Sequence, residues 1–129
     1  MNYVKKAQEF LDKAYSGDTE GASEILHDKL KLQMVGNTAL AGIHKGKEAF
    51  FANFGKMMEL SQGSYKLTKT HEWINAENKA LLMAEEYVNK NGKEYYFDRI
   101  IQYSFKDGLI NFIRIYEGNP EIADIAFSS

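Results

Sequence analysis

The 129-residue chain has no cysteine, a single proline, a single tryptophan and almost no charge imbalance, with a formal net charge of −2 at pH 7. Without cysteine there can be no disulfide, no thiol nucleophile and no thiolate metal site. The lone proline, Pro120, lies near the end, so no proline breaks a helix or strand before it. The near-balance of charge offers no broad basic surface to nucleic acid or anionic lipid. No apolar run approaches the roughly 20 residues that a membrane span requires. The opening residues, MNYVKKAQEF, lack the apolar core of a signal peptide, so the cytoplasm is the expected compartment. His27, His44 and His71 are scattered, which argues against a metal triad, although His71, at a strand start, can border a cavity. The stretch GIHKGKE at 42–48 resembles a phosphate loop only superficially. Its glycines are one residue too close, and Glu48 stands where the loop needs Ser or Thr. No pattern suggests a nucleotide, flavin or haem, and no cofactor is expected.

What is present describes a globular chain, 44% hydrophobic and 26% charged. With no linker or repeat, residues 1–129 are expected to form one domain. Val4, Ala7, Leu11, Ala14 and Tyr15 make a helical stripe over residues 3–15. Gly17-Asp18 ends that helix, and Asp18 or Thr19 can cap a second, short one through about Leu26. Leu30 to Val35 alternates as a strand, and 36–46 is expected to be a loop. Phe50, Phe51, Phe54, Met57 and Met58 give 47–60 the spacing of a third amphipathic helix. Strands are predicted at 65–74, 80–89, 93–105 and 109–116, followed by a helical turn or more from Pro120 to Phe127. Helices first and an antiparallel sheet second define an α+β class.

The last hairpin, FDRIIQYSFKDGLINFIRIY at 97–116, carries the most information. Asp107-Gly108 favours a two-residue turn, which sets 106 opposite 109. Strict alternation then puts Phe97, Arg99, Ile101, Tyr103, Phe105, Ile110, Phe112, Arg114 and Tyr116 on one inward face. Arg99 and Arg114 would be diagonal neighbours, roughly 7 Å apart. Two inward cations need an internal carboxylate, a snorkelling position at the cavity mouth, or an anionic or carbonyl-bearing ligand. Glu85 and Glu86 are the available acids, and only one can face inward. A two-residue turn at Asn91-Gly92 would turn Glu86 inward but oppose Glu85 to Asp98. A three-residue loop avoids that clash and turns in Met83, Glu85 and Tyr87.

The blocks GNTALAGIHKGKEAFF, HEW, YSFKDGLINF and EGNPEIADIAF resemble the SnoaL-like branch of the NTF2-like (ketosteroid isomerase-like) superfamily over nearly the whole chain. The resemblance implies an NTF2-like, cystatin-like fold. That fold is a cone-shaped, curved mixed β-sheet packed against three N-terminal helices around an apolar cavity. It also implies a family that includes isomerases, dehydratases, epoxide hydrolases, cyclases and non-catalytic binders. The positions matching the isomerase machinery are Phe10, Gln33 and Ile101, none of which is an acid or base, so ketosteroid isomerisation itself does not carry over. The arginine-and-acid pattern of the hydrolases survives only as Arg99, and the cyclase acid position falls on Arg114.

Two functional expectations follow. One is an internal cavity for a mostly apolar small molecule bearing a carboxylate or carbonyl, for which the resemblance allows isomerase, cyclase or dehydratase chemistry. Glu85 and Arg114 would be its catalytic pair, and Arg99, Tyr87, Tyr103, Phe112, Tyr116, Trp73 and Gln33 would line it. The alternative is a non-catalytic dimeric module whose arginines belong to a structural Arg–Glu network. Ile100, Ile113 and Ile115 on the opposite face suggest a homodimer through the outer sheet surface.

Overall fold

The computed structural model describes residues 2–129, apart from the side chain of His71; the cavity-edge position suggested for that residue lies outside the described residues. The elements run α1 (Tyr3–Tyr15), α2 (Thr19–Ile25), β1 (Leu26–Val35), β2 (Gly42–Lys45), α3 (Lys47–Leu60), β3 (Lys66–Ala76), β4 (Lys79–Lys90), β5 (Lys93–Lys106), β6 (Leu109–Glu117) and α4 (Pro120–Ala126). The strands form one curved, unclosed sheet in the order β2-β1-β6-β5-β4-β3. Neighbours are antiparallel except β1 and β6, which are parallel, so the sheet is mixed. No helix of the described residues is long and apolar enough to cross a membrane.

The α+β expectation holds, with two adjustments. The expected three helices are joined by α4, seven residues long, which seats Ala123 and Ala126 in the core. Phe127, just beyond it, is fully buried against Phe97 and Tyr65. The segment expected to be a loop contains β2, an edge strand of four residues. It is too short to show a period, and only its pairing with β1 defines it.

Local signals place the helices as the sequence predicts. Asn2 accepts from Lys5 N at 3.0 Å and caps α1; Asp18 accepts from Gly21 N at 2.9 Å and caps α2. Ala7, Phe10 and Leu11 of α1, with Phe50 and Met57 of α3, bury the inner face of the sheet. Each large apolar side chain buried there contributes about 1.5–3 kcal/mol.

The two long hairpins fix which side chains meet those helices. Asn91 and Gly92 have φ of 54° and 83°, and Asp107 and Gly108 have 54° and 79°. Positive φ at both central residues makes each a two-residue turn whose twist matches the strands. Lys90 therefore faces Lys93, and Lys106 faces Leu109. The three-residue loop expected at Asn91 does not form. Glu86 is consequently the inward acid, while Met83, Glu85 and Tyr87 face outward. The Glu85–Asp98 opposition does occur. Thr68 relieves it by donating to Glu85 Oε1 at 2.7 Å, and Lys69 lies across from Glu85 on β3.

The second correction comes from a β-bulge. Ser104 pairs with Phe112 but Phe105 pairs with Ile110, leaving Asn111 without a partner on β5. One extra residue reverses the alternation beyond it. Ile113, Ile115 and the carboxylate of Glu117 turn inward; Phe112, Arg114 and Tyr116 turn outward. The isoleucines assigned to a dimer surface are thus core residues, 2% and 8% exposed, and Ile100 alone of the three faces out.

Candidate functional site: a neutralised arginine beneath an open groove

Arg99 extends from β5 into the interior and is 2% exposed. Glu117, opposite it on β6, accepts from Arg99 Nε at 3.0 Å and Nη2 at 2.8 Å through a single oxygen, Oε1. Glu86, fully buried on β4, brings Oε1 to 2.7 Å from Nη2, an ionic approach lying off the N–H direction. Nη1 donates to the Tyr65 hydroxyl at 2.8 Å. One guanidinium is thereby shared by two carboxylates and a phenol.

Burial pushes the Glu86 carboxyl well above its ordinary range. The charge of Arg99 opposes that rise, while a hydrogen bond with Glu117 and its charge add to it. A proton on Glu86 leaves the cluster neutral: one cation, one anion and one acid. The same proton gives work to the otherwise unpartnered Oε2 atoms of Glu86 and Glu117. Arg99 is held above its normal value because Glu117 and Glu86 outweigh the cost of its desolvation. Burial likewise raises Tyr65 and Tyr103, against the lowering effect of Arg99, and desolvation of its hydroxyl end raises Tyr15, a side chain otherwise 39% exposed; these phenols keep their protons.

Above this cluster lies an apolar cavity of about 40 Å³, bounded by Phe10, Leu32, Phe50, Ile101, Tyr103 and Ile113, with Arg99 and Asn53 as its polar wall. That is room for a few water molecules, far below the 300–1,000 Å³ of ordinary ligand sites. Beyond it opens a groove of about 680 Å³ between α1, α3 and β3. Leu11, Ala14, Tyr15 and Phe54 line both spaces and form the neck between them. The groove carries Trp73, Met58 and Tyr65, with Asp12, Lys66 and Thr70 among its polar groups. Tyr15 packs against Phe54 and Tyr65, with ring centroids 5.5 and 6.3 Å apart.

Of the nine residues assigned to the cavity from sequence, three reach the interior. Arg99 is the one just described; Tyr103 is buried, and Trp73 stacks on it with centroids 6.2 Å apart. The proposed catalytic pair is separated from the interior altogether. Glu85 binds Thr68 on the outer face, and Arg114 binds Gln33 there at 2.9 Å. Phe112, Tyr116 and Gln33 join Arg114 outside, and Tyr87 donates to Glu94 at 2.8 Å on the same face. Glu86, Glu117, Tyr15 and Tyr65 were not anticipated as a group. Glu117 could have been found as the next residue of the Ile113–Ile115 series. Tyr65 immediately precedes β3, 34 residues from Arg99 in the chain, and carries no local signal. Among the described residues no cluster of His, Asp or Glu is placed to hold a metal ion.

No family model and no curated protein matches the sequence. Solved structures do share the fold. A protein of unknown function with a cystatin-like fold from Xanthomonas campestris is 20% identical, with 100% of both chains covered and a TM-score of 0.90. An NTF2-like protein from Burkholderia xenovorans is 17% identical, covering 98% of this chain and 95% of its own, with a TM-score of 0.81. A protein named as a SnoaL-like polyketide cyclase from Mesorhizobium loti is 21% identical over 90% and 99%, with a TM-score of 0.67. The fold is therefore NTF2-like, an architecture that hosts many chemistries and by itself assigns none.

Proposed function

We propose that the protein binds a neutral, largely aromatic or polycyclic small molecule in the groove between α1, α3 and β3, without acid–base chemistry in the interior. The observation that carries this reading is the composition of the Arg99 cluster. Its cation is already matched by Glu117 and Glu86, so the interior has no spare positive charge for a carboxylate. A carbonyl or hydroxyl remains a suitable polar end, because Tyr15 borders the neck and keeps its proton. The arginine then serves as a structural tie between β4, β5, β6 and Tyr65.

Trp73 is the only tryptophan and lies in the groove, so its fluorescence reports occupancy directly. Titration with 2-naphthol should give a saturable change in that emission. Ala14→Phe, which fills the neck, should weaken binding at least tenfold while leaving the melting temperature near wild type. A non-saturable response, or one indifferent to Ala14→Phe, would remove the groove as the site.

A homodimer through the outer sheet face belongs to the same proposal, on a different set of residues from those expected. Val35, Tyr116, Ile100 and Met83 form one row across β1, β6, β5 and β4. Ile74 and Tyr96 are exposed apolar side chains on the same face. Covering such a surface with a second copy satisfies it symmetrically. Ile100→Glu should shift the protein to monomer in sedimentation velocity; a wild type already monomeric at high concentration would refute the dimer.

A further inference from the structure

The outer face holds a second concavity, unrelated to the groove. It measures about 400 Å³ and is lined by Lys29, Lys31, Gln33, Ile43, Asn111, Phe112 and Arg114. Three of these side chains are cationic and none is acidic. Lys45 adds a fourth positive charge directly across from Lys31 on β2, an opposition of like charges that is unfavourable unless an anion joins them. Among the described residues, none of the four lies within ion-pair distance of a carboxylate. Asp28, adjacent in sequence, is engaged by Lys47 at 3.5 Å.

Arg114 is held in place. Its Nε donates to Gln33 Oε1 at 2.9 Å, its Nη1 donates to the Tyr116 hydroxyl at 3.2 Å, and its guanidinium lies 4.9 Å from the centre of the Phe112 ring. Those contacts use two of its five N–H groups and leave Nη2 free to bind an oxyanion. What turns Arg114 outward is the bulge at Asn111, whose own Oδ1 is buried with no hydrogen-bond partner. The bulge seats Ile113 and Ile115 in the core, and the same extra residue aims Arg114 outward beside Asn111, at the wall of the concavity.

We propose that this concavity is a binding site for a small phosphomonoester carrying an apolar group. Arg114 supplies a planar donor set with Lys29, Lys31 and Lys45 as mobile counter-charges, and the multiple uncompensated cations favour a dianion over a monoanion. Phe112 and Ile43 form the apolar wall. The volume suits a ligand of metabolite size.

Phenyl phosphate is the probe, with benzoate as the monoanionic control, followed by amide-resolved NMR titration and calorimetry on the full chain. Phenyl phosphate should shift resonances of Gln33, Asn111, Phe112 and Arg114, bind at least tenfold more tightly than benzoate, and weaken with added salt. Arg114→Gln and Lys31→Gln should each weaken it at least fivefold, while Glu85→Gln, on the outer face away from the concavity, should not. The proposal fails if no saturable binding occurs, or if Arg114→Gln leaves the affinity unchanged. It also fails if shifts gather instead at Trp73 and Tyr15 in the groove. If Arg114→Gln abolishes dimerisation and phosphate never binds, the concavity is filled by a second copy of the chain and the phosphate site is overturned.

Discussion

Arg99 and Arg114 sit on adjacent strands of one hairpin, and the sequence treats them alike. Each is followed by an isoleucine, Ile100 or Ile115, and each falls on what strict alternation makes the inner face. The structure separates them completely. Arg99 is buried and bound to two carboxylates and a tyrosine, whereas Arg114 lies outside and is bound to a neutral amide and a tyrosine. The difference arises from Asn111, one unpaired residue between them. The inner cation is compensated within the chain, and the outer one has no carboxylate within ion-pair distance among the described residues. Identical side chains acquire opposite roles because desolvation forces the first to be compensated within the chain, while water tolerates the second uncompensated.

The comparison can be broken most violently at the bulge. Deleting Asn111 would turn Ile113 and Ile115 to solvent and drive Arg114 and Tyr116 inward. Losing two buried isoleucines alone costs about 3–6 kcal/mol, so chemical denaturation should show loss of cooperative folding or a stability drop of at least that size. A deletion variant as stable as wild type would show that the hairpin is paired differently.

Next in size is Arg99→Met, which leaves Glu86 and Glu117 facing one another without their cation. Breaking a buried ionic group by removing one partner costs about 3–5 kcal/mol. Replacing Arg99, Glu86 and Glu117 together by apolar residues of similar volume should recover most of that loss, since the compensated cluster and a well-packed apolar one are nearly equivalent in folding energy. A triple variant as damaged as the single one would contradict this account of the cluster.

Glu86 gives a pH signature. Its folded-state pKa lies above the ordinary 4.5 of the unfolded chain, so the folded protein holds more protons between those two values. Its contribution to stability is complete below pH 4.5 and declines as pH rises through that window, by at most about 1.4 kcal/mol per unit. Glu86→Gln should flatten this part of the stability–pH curve measured by urea denaturation from pH 4.5 to 8. An unchanged slope would place the shared proton elsewhere.

The smallest effect is expected at the outer arginine. Arg114→Leu should alter stability by no more than about 1 kcal/mol, as surface substitutions usually do. A loss comparable to that of Arg99→Met in thermal or chemical denaturation would erase the distinction between the two faces.

Much of the architecture was legible beforehand, for identifiable reasons. The α1 stripe, the Asp18 cap, the phenylalanines of α3 and the two positive-φ dipeptides are local signals, and each produced the element it suggests. The error at Glu85 came from weighing one like-charge opposition above a strong turn preference, when Thr68 and Lys69 were available to relieve that opposition. The error at Arg114 came from assuming unbroken alternation through Asn111. A hint was present: past Asn111, one alternating series begins with two isoleucines, Ile113 and Ile115, and reaches a charge only at Glu117, whereas the other carries Arg114 at its centre. A core takes the first series. The Arg99 cluster was only half visible, because its members come from α1, β4, β5, β6 and the residue before β3.

The sequence by itself determined the helices and the long strands, since capping, periodicity and φ preference act over a few residues, whereas β2 exists only through its pairing with β1. It also carried a balanced charge and no thiol chemistry. Only the tertiary structure decided which arginine and which glutamate would be buried and where the open groove would lie. Those outcomes depend on register across six strands, and in a sheet a single unpaired residue exchanges inside for outside for every side chain beyond it.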